Sequence, residues 1–595
     1  MKITRTFDIL ESYRNDHIME DALAAKKNKK WKKYSSQEYL ENVKNFSLGL
    51  MSLGFKKGDK IATVSNNRPE WNIMDMGMSQ IGVIHVSIYP TISLKEYEHI
   101  IQHCNAKILI VSGKIHYNKL IGLAEKLSNI EKVYTIERVE NATNWSEILD
   151  AGKMNSGNET ALETIKKSIQ SSDLNSIIYT SGTTGMPKGV MLTHSNFVSN
   201  FMSAYPALPM EFGHKALSFL PLCHVYERMI NYLMQYKGIA IYYAENMGTI
   251  IDNLKEIKAD GFDTVPRLLE RVFDTIMARG NNLKGMKKML FFWAVNLGLK
   301  YEFNRANGWF YELKLKIANK LIFSKWRQAL GGNIKFIGSG GAALQPRLAR
   351  IFWAARIPVQ EGYGLTETSP LIALNFPNYP HKKLGTVGVV LDGVEVKFGD
   401  DGEILCKGPN VMVGYYKDPE LTKQAIDEDG WFHTGDIGEM IDGRYLKITD
   451  RKKEIFKLSS GKYIAPQVIE NKCRESEYIE QIMVVGENEK FASALISPKF
   501  DLIQKWAKKK KIDFQSNKSL IQNPEIIKLF QKIVNEYNQT FGNAEKIKRF
   551  RLVPEEWTLE TGELSPTLKL KRRFVYDKYE QFLEEIYGHL KNSNK

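Results

Sequence analysis

Residues 179–190 read Tyr179-Thr180-Ser181-Gly182-Thr183-Thr184-Gly185-Met186-Pro187-Lys188-Gly189-Val190, and the apolar pair Ile177-Ile178 before them is typical of the end of a strand. The glycines let backbone N–H groups turn toward a ligand, because positive φ angles carry no steric cost at glycine. The side-chain hydroxyls add hydrogen-bond donors, and Lys188 adds a positive charge. A concave row of such donors fits the oxygens of a polyphosphate. The stretch therefore predicts a phosphate-binding loop.

Two other interpretations of this loop are weaker. A flexible Gly/Ser/Thr linker needs neither an apolar strand before it nor Pro187-Lys188-Gly189 after it. A Walker A loop requires the order Gly-Lys-Ser/Thr, whereas Lys188 precedes Gly189 here.

Length and composition exclude several classes of protein. A chain of 595 residues can bury large cores and is expected to form more than one domain. The longest nearly apolar run, Met289 to Leu299, spans 11 residues and is too short to cross a bilayer. No signal peptide is visible. The four cysteines are scattered without metal-ligand spacing, which predicts reduced thiols and a cytoplasmic location.

The formal charge of +15 is compatible with nucleic acid, an anionic membrane surface or anionic small molecules as partners. No basic-aromatic nucleic-acid module stands out, so we expect no nucleic-acid partner. Lysines cluster at residues 26–33 around Trp31 and at residues 505–511 around Trp506. Such clusters are usually solvated faces, and peripheral contact with an anionic membrane on its inner face is the alternative.

Hydrophobic patterning predicts an α/β architecture. Up to about residue 165, helical patterns at 39–53 and 72–82 alternate with strand patterns at 60–65, 83–88 and 107–111, which predicts a mostly parallel sheet covered on both faces. Residues 385–416 predict a small antiparallel sheet or distorted barrel, and strands at 480–485 and 492–497 belong to a compact α+β domain. Residues 281–328 predict a packed helical hairpin, which we favour over an amphipathic surface that takes a lipid from a membrane.

One motif supports a competing function. Gly338-Ser339-Gly340-Gly341-Ala342-Ala343 fits Gly-x-Gly-x-x-Ala, and Glu361 lies about twenty residues further on, as in an NAD-linked oxidoreductase. That interpretation leaves the phosphate loop unexplained, and a second strand and turn follow directly at residues 359–368.

Together, these motifs resemble the AMP-forming acyl- and aryl-CoA synthetases, a superfamily that includes firefly luciferase and the adenylation domains of peptide synthetases. The resemblance rests on the phosphate loop, Glu361-Gly362-Tyr363-Gly364-Leu365-Thr366-Glu367 and the run from Val265 to Arg271. Leu220-Pro221-Leu222-Cys223-His224-Val225-Tyr226-Glu227-Arg228 and the run from Leu564 to Arg573 are similar to the long-chain members.

The resemblance implies a large N-terminal domain of layered α/β subdomains plus a small distorted β-barrel, followed by a small mobile α+β domain. We place the first at residues 1–449, with a helical insertion at about 281–328, and the second at 450–595. It also implies binding of ATP, Mg²⁺ and coenzyme A. The implied nucleotide- and coenzyme-binding residues are Thr180, Ser181, Gly182, Thr183, Thr184, Gly185, Lys188, Gly340, Gly341, Ala342, Glu361, Gly362, Tyr363, Gly364, Asp436, Ile448, Arg451 and Gly461.

Individual roles follow from the same resemblance. Tyr363 offers a flat face for adenine, Thr366 a donor for the α-phosphate, and Glu367 with Thr184 oxygen ligands for Mg²⁺. His224 is expected at the mouth of the acyl tunnel, where an imidazole positions a carboxylate or covers the site rather than transferring a proton. Glu227 and Arg228 are expected to form an ion pair.

In the C-terminal part, the resemblance assigns Asp436 and Arg451 to the ribose, Gly461 to the pantetheine tunnel and Lys569 to catalysis. Thr567-Leu568 stands where the superfamily usually has Ser-Gly, so Lys571 is the alternative catalytic lysine. Arg572 and Arg573 fit a solvated tail.

The implied activity is ATP-dependent conversion of a long-chain fatty acid to acyl-AMP and then to acyl-CoA. A medium-chain or aryl acid–CoA ligase, and a lipid-binding membrane-associated protein without turnover, are the alternatives. A peptide-synthetase module is disfavoured because no carrier domain follows the lysine motif. The oligomeric state, a dimer included, is left open.

Overall fold

A computed structural model describes residues 3–180, 186–378, 380–565 and 569–591. The strands are β1 (Leu23–Lys27), β2 (Lys30–Tyr34), β3 (Lys60–Val64), β4 (Ile84–Ile88), β5 (Ile108–Val111), β6 (Lys132–Thr135), β7 (Thr143–Asn144), β8 (Leu174–Thr180), β9 (Lys188–Thr193), β10 (Lys215–Ser218), β11 (Ala240–Tyr243), β12 (Gly261–Thr264), β13 (Phe336–Ser339), β14 (Val359–Gly364), β15 (Leu371–Leu374), β16 (Val389–Val390), β17 (Glu395–Phe398), β18 (Glu403–Lys407), β19 (Gly414–Tyr415), β20 (Phe432–Ile441), β21 (Tyr445–Arg451), β22 (Phe456–Lys457), β23 (Tyr463–Ile464), β24 (Ile479–Val485), β25 (Ser493–Pro498) and β26 (Arg549–Leu552).

The helices are α1 (Leu10–Asn15), α2 (Ser36–Ser52), α3 (Pro69–Gln80), α4 (Leu94–Cys104), α5 (Lys114–Ala124), α6 (Ser146–Met154), α7 (Glu159–Ser168), α8 (His194–Ala204), α9 (Val225–Tyr236), α10 (Ile250–Ile257), α11 (Pro266–Asn281), α12 (Gly285–Gly298), α13 (Trp309–Ala318), α14 (Ser324–Ala329), α15 (Pro346–Ala354), α16 (Pro419–Ala425), α17 (Pro466–Cys473), α18 (Phe500–Lys509), α19 (Asn517–Ile521), α20 (Pro524–Asn538), α21 (Arg572–Lys578) and α22 (Glu580–Lys591). A π-helix, Asn319–Phe323, joins α13 to α14. None of the described helices is long and apolar enough to cross a membrane.

The chain divides into two compact units. The first holds residues 1–397, 405–433 and 442–446, and the second holds 398–404, 434–441 and 447–595. The chain passes from one unit to the other within strands rather than at a single linker. This happens because the strands concerned pair with residues that lie far away in the sequence. The predicted domain boundary at 449/450 stays a prediction, since compactness does not show where a chain rotates.

One sheet of the first unit carries the phosphate-loop strand. Its order is β19-β9-β8-β4-β3-β5-β6-β7, and the pairs from β8 through β7 are parallel. All five residues of β4 are buried, as expected for a strand covered on both faces. The predicted parallel sheet is therefore confirmed, with its strands at β3, β4 and β5.

A second sheet of the first unit has the order β16-β15-β14-β13-β12-β10-β11-β1-β2. Strands β10 to β14 are parallel, whereas β15 and β16 pair antiparallel. The antiparallel strands thus continue the edge of the parallel sheet, with a register shift between Tyr363 and Gly364 on β14. Such a shift bends a strand and re-aims its side chains, as at many binding sites.

The predicted helical insertion comprises α12, α13, the π-helix and α14. The buried side of these helices contributes Phe291, Leu315, Phe323 and Trp326 to a core that also contains Phe352 of α15. The buried sides of these helices therefore confirm the packed helical hairpin predicted for residues 281–328.

The second unit has its own cores. Strands β24 and β25 pair antiparallel, and β25 and β26 pair parallel. Helices α17, α18 and α20 bury Ile469, Ile503 and Phe530 in one core. The predicted strands at 480–485 and 492–497 correspond to β24 and β25, which confirms an α+β arrangement.

Candidate active site

The two strands that flank the phosphate loop hold its ends together. Strand β8 pairs antiparallel with β9, and Thr180 lies opposite Lys188. The loop residues Ser181, Gly182, Thr183, Thr184 and Gly185 lie outside the described residues. The neighbouring carbonyl of Pro187 accepts a hydrogen bond from His99 Nε2 at 3.0 Å. The loop therefore starts and ends at fixed positions of one buried sheet.

A tyrosine joins the base of this loop to the predicted magnesium ligand. The Lys188 ammonium lies 5.5 Å from the ring centroid of Tyr415. The Tyr415 hydroxyl donates to Glu367 Oε1 at 2.8 Å, and the Glu367 carbonyl accepts from the backbone N–H of Met412 at 2.8 Å. Two predicted motifs, the lysine of the phosphate loop and the carboxylate at the end of residues 361–367 (the adenylate run), are thus brought together.

Sequence reasoning missed Tyr415. Strand β19 is two residues long and pairs Tyr415 with Val190 of β9. A Cβ at Gly414 would lie 2.7 Å from the Thr422 side chain, whose hydroxyl accepts from the Tyr415 N–H at 2.9 Å. The sequence around Gly414 and Tyr415 indicates a strand and a turn, but nothing in it indicates the contact with the distant Glu367.

The turn Gly340-Gly341-Ala342, which is predicted to bind the nucleotide, lies beside the adenylate run. Ser339, at the end of β13, pairs with Glu361 of β14, so Gly340, Gly341 and Ala342 leave the sheet next to Gly362 and Tyr363. Gly341 has a φ of 81°. A Cβ at Gly340 would lie 3.2 Å from the Tyr226 ring. The Tyr226 ring therefore leaves little space for a side chain at Gly340.

Glycine is also required on β14. A Cβ at Gly364 would lie 1.7 Å from the Pro370 carbonyl oxygen, and one at Gly362 would lie 3.0 Å from Leu371 Cδ2. Tyr363, between these two glycines, is half-buried at the strand end, and Thr366 is buried in the short 3-10 helix that follows. Burial raises the pKa of Glu361 to about 8, so this carboxyl is mostly neutral at pH 7.

His224 caps the start of helix α9, and the segment just before it is held in place by Asn67. The Asn67 side chain donates to the Leu220 carbonyl at 2.6 Å and accepts from the Leu222 N–H at 3.0 Å. Nδ1 of His224 accepts from the Tyr226 N–H at 3.2 Å, and its ring centroid lies 6.4 Å from that of Tyr89. Two residues on, the Tyr226 ring lies 3.2 Å from a Cβ placed at Gly340, so the start of α9 lies beside the Gly340 turn.

The ion pair expected between Glu227 and Arg228 is wrong. Consecutive residues point about 100° apart on a helix. Arg228 instead pairs with Asp75 and donates to Tyr232 Oη at 2.9 Å, all buried. Glu227 Oε1 accepts from Ser218 Oγ at 2.5 Å.

Glu227 instead belongs to a buried group of acids beneath the Gly340 turn. Tyr226 Oη donates to Asp263 Oδ1 at 2.9 Å. Burial raises the pKa of Asp263 to about 7, and burial with the Asp263 charge raises the pKa of Glu227 well above its usual value. A Cβ at Gly338, which lies opposite Asp263 in the sheet, would lie 2.1 Å from Asp263 Oδ1. Glu227 therefore keeps its proton at neutral pH, whereas Asp263 titrates near pH 7.

In the second unit, the two predicted ribose-binding residues contact each other. Arg451 Nε lies 3.2 Å from Asp436 Oδ1, and the Asp436 N–H donates to Thr434 Oγ1 at 3.1 Å. Ile448 lies half-buried on the same strand as Arg451. The Arg451 guanidinium therefore orients the Asp436 carboxylate without any contribution from a ribose.

Asp450, the first residue of the predicted C-terminal domain, is braced from two sides. Asp450 Oδ1 accepts from the Arg451 N–H at 2.6 Å, and Oδ2 accepts from the Gln467 N–H at 3.1 Å in the first turn of α17. Burial raises the pKa of Asp450 to about 7.

The backbone of Lys569 is hydrogen-bonded to Ser565. The Ser565 N–H donates to the Lys569 carbonyl at 2.8 Å, the Lys569 N–H donates to Ser565 Oγ at 3.0 Å, and Leu564 bridges to Leu570. Lys569 and Lys571 are both exposed and lie two residues apart. The choice between them as the catalytic lysine stays a prediction.

Arg572 is not part of a solvated tail. Its guanidinium lies 2.7 Å from Glu454 and 2.5 Å from Glu470, and these carboxylates raise its pKa. The expectation is wrong for this residue because both partners lie about a hundred positions earlier, beyond any local pattern. Arg573 is exposed as expected.

Gly461 lies in the exposed turn between β22 and β23. Its φ is 84°, and its N–H donates to the Leu458 carbonyl at 2.8 Å. Among the described residues no group of three or more His, Cys, Asp or Glu side chains could hold a metal ion. A magnesium site at Glu367 would therefore need oxygens from Thr184, phosphate or water, which suits an ion that keeps few protein ligands.

The chain matches the AMP-binding enzyme family over residues 13–416 and the AMP-binding enzyme C-terminal domain over residues 453–591. The chain belongs to the AMP-binding enzyme family. Both matches fit the family expected from the phosphate loop and the adenylate run. They leave residues 417–452 between them.

Members of the AMP-binding enzyme family match this chain along nearly its whole length. A long-chain-fatty-acid–CoA ligase of Mycobacterium bovis is 32% identical over 565 residues, which cover 94% of this chain and 93% of that protein. Fatty acyl-CoA synthetase A of Dictyostelium discoideum is 31% identical over 633 residues, covering 99% and 92%. The crystal structure of an anthranilate CoA ligase with anthranoyl-AMP has a TM-score of 0.72 at 17% identity, covering 96% of this chain and 97% of that chain. At that identity the structure supports the fold alone: a large N-terminal α/β domain and a smaller C-terminal domain.

Proposed function

We propose that this chain activates a long-chain fatty acid with ATP and transfers the acyl group to coenzyme A. The observation that carries the proposal is the convergence of Lys188, Tyr415 and Glu367 at the base of the phosphate loop, in a member of the AMP-binding enzyme family. The long-chain substrate class is supported by relatives that are named long-chain-fatty-acid–CoA ligases and fatty acyl-CoA synthetases.

The reaction balances without a redox step. A carboxylate oxygen of the fatty acid attacks the α-phosphorus of ATP, the bond to the β-phosphate oxygen breaks, and pyrophosphate leaves with the electron pair. The sulfur of coenzyme A then attacks the acyl carbonyl, the bond to AMP breaks, and the thiol proton is lost. The protein must hold two anions in line and stabilise the charge that moves to the leaving group.

In the first half-reaction, the phosphate loop with Lys188 binds the departing phosphates and Thr366 donates to the α-phosphate. Glu367 and Thr184 would hold Mg²⁺, which supplies neutralisation of phosphate charge when bound. Glu367 fits this role because a carboxylate is a hard oxygen ligand and Tyr415 fixes one of its oxygens. Tyr363 and the turn Gly340-Gly341-Ala342 enclose the adenine, and His224 positions the carboxylate.

In the second unit, Asp436 with Arg451 binds the ribose and Lys569 bridges the carboxylate and phosphate. We propose that residues 450–595 rotate about Asp450 between half-reactions, which removes Lys569 and brings Gly461 to the pantetheine. One rotating domain suits two transition states that need different neighbours. The oligomeric state and the cytoplasmic location stay predictions.

The test is ATP–pyrophosphate exchange without coenzyme A, measured with acetate, benzoate, laurate, palmitate and stearate. We expect exchange to be highest with the long acids and to fall by about 10²–10³-fold in Lys569→Ala. Lys571→Ala is the matched control and should keep exchange. Highest exchange with laurate or benzoate would favour the medium-chain or aryl alternative, and exchange lost only in Lys571→Ala would move the catalytic role there. Folded protein that gives no exchange with any acid would contradict the enzyme and favour a lipid-binding protein.

A further inference from the structure

Helix α13 and the π-helix after it expose apolar side chains along one side. Trp309 is 79% exposed, Leu313 49%, Ile317 46% and Leu321 45%, and these four residues are spaced four apart. Residues four apart are neighbours on a helix surface, so they form one continuous band. Phe310, 55% exposed, lies beside it. We call these five residues the apolar stripe.

The opposite side of the same helix accounts for its folding. Leu315, Ala318 and Phe323 are buried and pack in the core with Trp326 and Phe352. The stripe is therefore not required to hold the helix against the protein. An amphipathic helix normally turns polar side chains outward, so exposed large apolar residues at this spacing mark an interaction surface.

Lysines accompany the stripe. Lys316 and Lys320 are exposed, each three residues after a stripe residue, and the Lys314 ammonium lies 4.2 Å from the ring centroid of Phe310. From Lys284 to Lys325 the chain carries nine basic and two acidic residues. Long lysine side chains can lay their carbon stems along an apolar surface and keep the ammonium group in a polar layer.

From this combination we infer that the apolar stripe and its lysines form a docking surface for an anionic lipid bilayer. Tryptophan and aliphatic side chains enter the boundary between headgroups and acyl chains, while lysines pair with anionic headgroups above it. Since no described helix is long and apolar enough to cross a membrane, the helix would lie in the plane of the interface. The inference does not depend on the proposed catalytic activity.

The charges favour a bilayer over a second copy of the chain. Two identical faces placed against each other would bring their lysines together, and like charges across an interface are repulsive. An anionic bilayer complements the same charges and supplies an apolar layer for the stripe.

The two lysine clusters noted in the sequence are weaker candidates. In the first, Lys26 is paired with Glu256 at 2.6 Å and with Glu245, and the Trp31 ring packs edge-on against Tyr242 at 5.0 Å. In the second, Trp506 packs against the core of the second unit. Neither cluster presents an exposed aromatic side chain, so charge alone would have to hold it to a membrane.

The test is co-sedimentation of the full chain with vesicles of phosphatidylcholine, with and without about one quarter phosphatidylglycerol. We expect binding to the anionic vesicles that weakens with added salt, and at least about tenfold weaker binding for Trp309→Ser/Leu313→Ser/Ile317→Ser. A control variant removes three exposed apolar residues elsewhere, Ile18→Ser/Ile115→Ser/Met154→Ser, and should bind like the wild type. Thermal melting verifies that both variants are folded.

A second pair of variants tests the charge. Lys316→Gln/Lys320→Gln should weaken binding to anionic vesicles, whereas Lys508→Gln/Lys509→Gln on α18 should not. Unchanged binding of the stripe variant, equal loss in either control, or equal binding to neutral and anionic vesicles would overturn the inference. It would also be overturned by an oligomer that the stripe substitutions dissociate, seen by light scattering, together with an absence of vesicle binding.

Discussion

Glu367 of the first unit and Lys569 of the second unit are held in different ways. The Glu367 carboxylate is oriented by the Tyr415 hydroxyl, and the Glu367 carbonyl accepts a hydrogen bond from the Met412 N–H. Lys569 is exposed, and its backbone carbonyl and N–H are hydrogen-bonded to the N–H and the side-chain hydroxyl of Ser565. Gly461 lies in an exposed turn.

The difference separates two ways of building a catalytic group. A preorganised group costs no rearrangement during the reaction and suits a charge that is present throughout. An exposed group of a separate unit can be brought to a site and withdrawn, which suits two successive reactions at one place. Substitutions in the first unit should therefore affect adenylation, and some substitutions in the second unit should affect only thioester formation.

The largest effect is expected for Glu367→Gln. Loss of the carboxylate charge removes the proposed magnesium ligand while Tyr415 can still donate to the amide oxygen. We expect ATP–pyrophosphate exchange to fall by about 10²–10³-fold and to be partly recovered at high magnesium concentration. Glu420→Gln, an exposed residue of α16, is the matched control. Near-normal exchange in Glu367→Gln would remove this residue from the site.

A smaller and more selective effect is expected for Gly461→Ala. A methyl group on this turn should slow acyl-CoA formation by about 10-fold or more and leave exchange without coenzyme A unchanged. Gly443→Ala places the same substitution at another open position with positive φ, and controls for backbone strain. Equal losses in exchange and thioester formation would contradict a separate role for the second unit.

Tyr415→Phe tests whether the brace on Glu367 matters. Removing one hydrogen bond to a charged group costs about 1.5–3 kcal/mol, so we expect a fall in exchange of about 10- to 100-fold, with a higher KM for magnesium–ATP. Tyr416→Phe removes the neighbouring hydroxyl and should have little effect. An unchanged KM and rate would show that Glu367 needs no orienting partner.

The smallest effect is expected for Glu361→Gln, and it is an effect on stability. A carboxyl whose pKa is raised to about 8 in the folded state binds a proton that the unfolded chain has lost, so its contribution falls as pH rises from about 4.5 to 8. Glutamine does not titrate. We therefore expect the variant to gain about 2–4 °C in Tm relative to wild type between pH 5 and pH 9. The same difference in exposed Glu395→Gln, or a parallel pH dependence, would contradict burial as the cause.

Local patterns in the sequence predicted the parallel strands, the end of a strand before the phosphate loop and the helices of residues 281–328, because hydrophobic periodicity and the positions of glycines can be read from neighbouring residues. They could not predict Arg228, whose partner Asp75 lies 153 positions away, or Arg572, whose partners lie 102 and 118 positions away. Tyr415 was missed for the same reason. The exposed stripe of α13 also could not be separated from a core-facing stripe, since both have helical spacing.

The most direct test of the central claim follows one oxygen atom. Palmitate labelled with oxygen-18 in its carboxylate is converted with ATP and coenzyme A, and the products are analysed by mass spectrometry. If the carboxylate attacks the α-phosphorus, one labelled oxygen must leave with AMP when the acyl group is transferred. Labelled AMP is therefore the predicted result. Label in inorganic phosphate with ADP as product, or no label in any phosphate product, would contradict an acyl-adenylate.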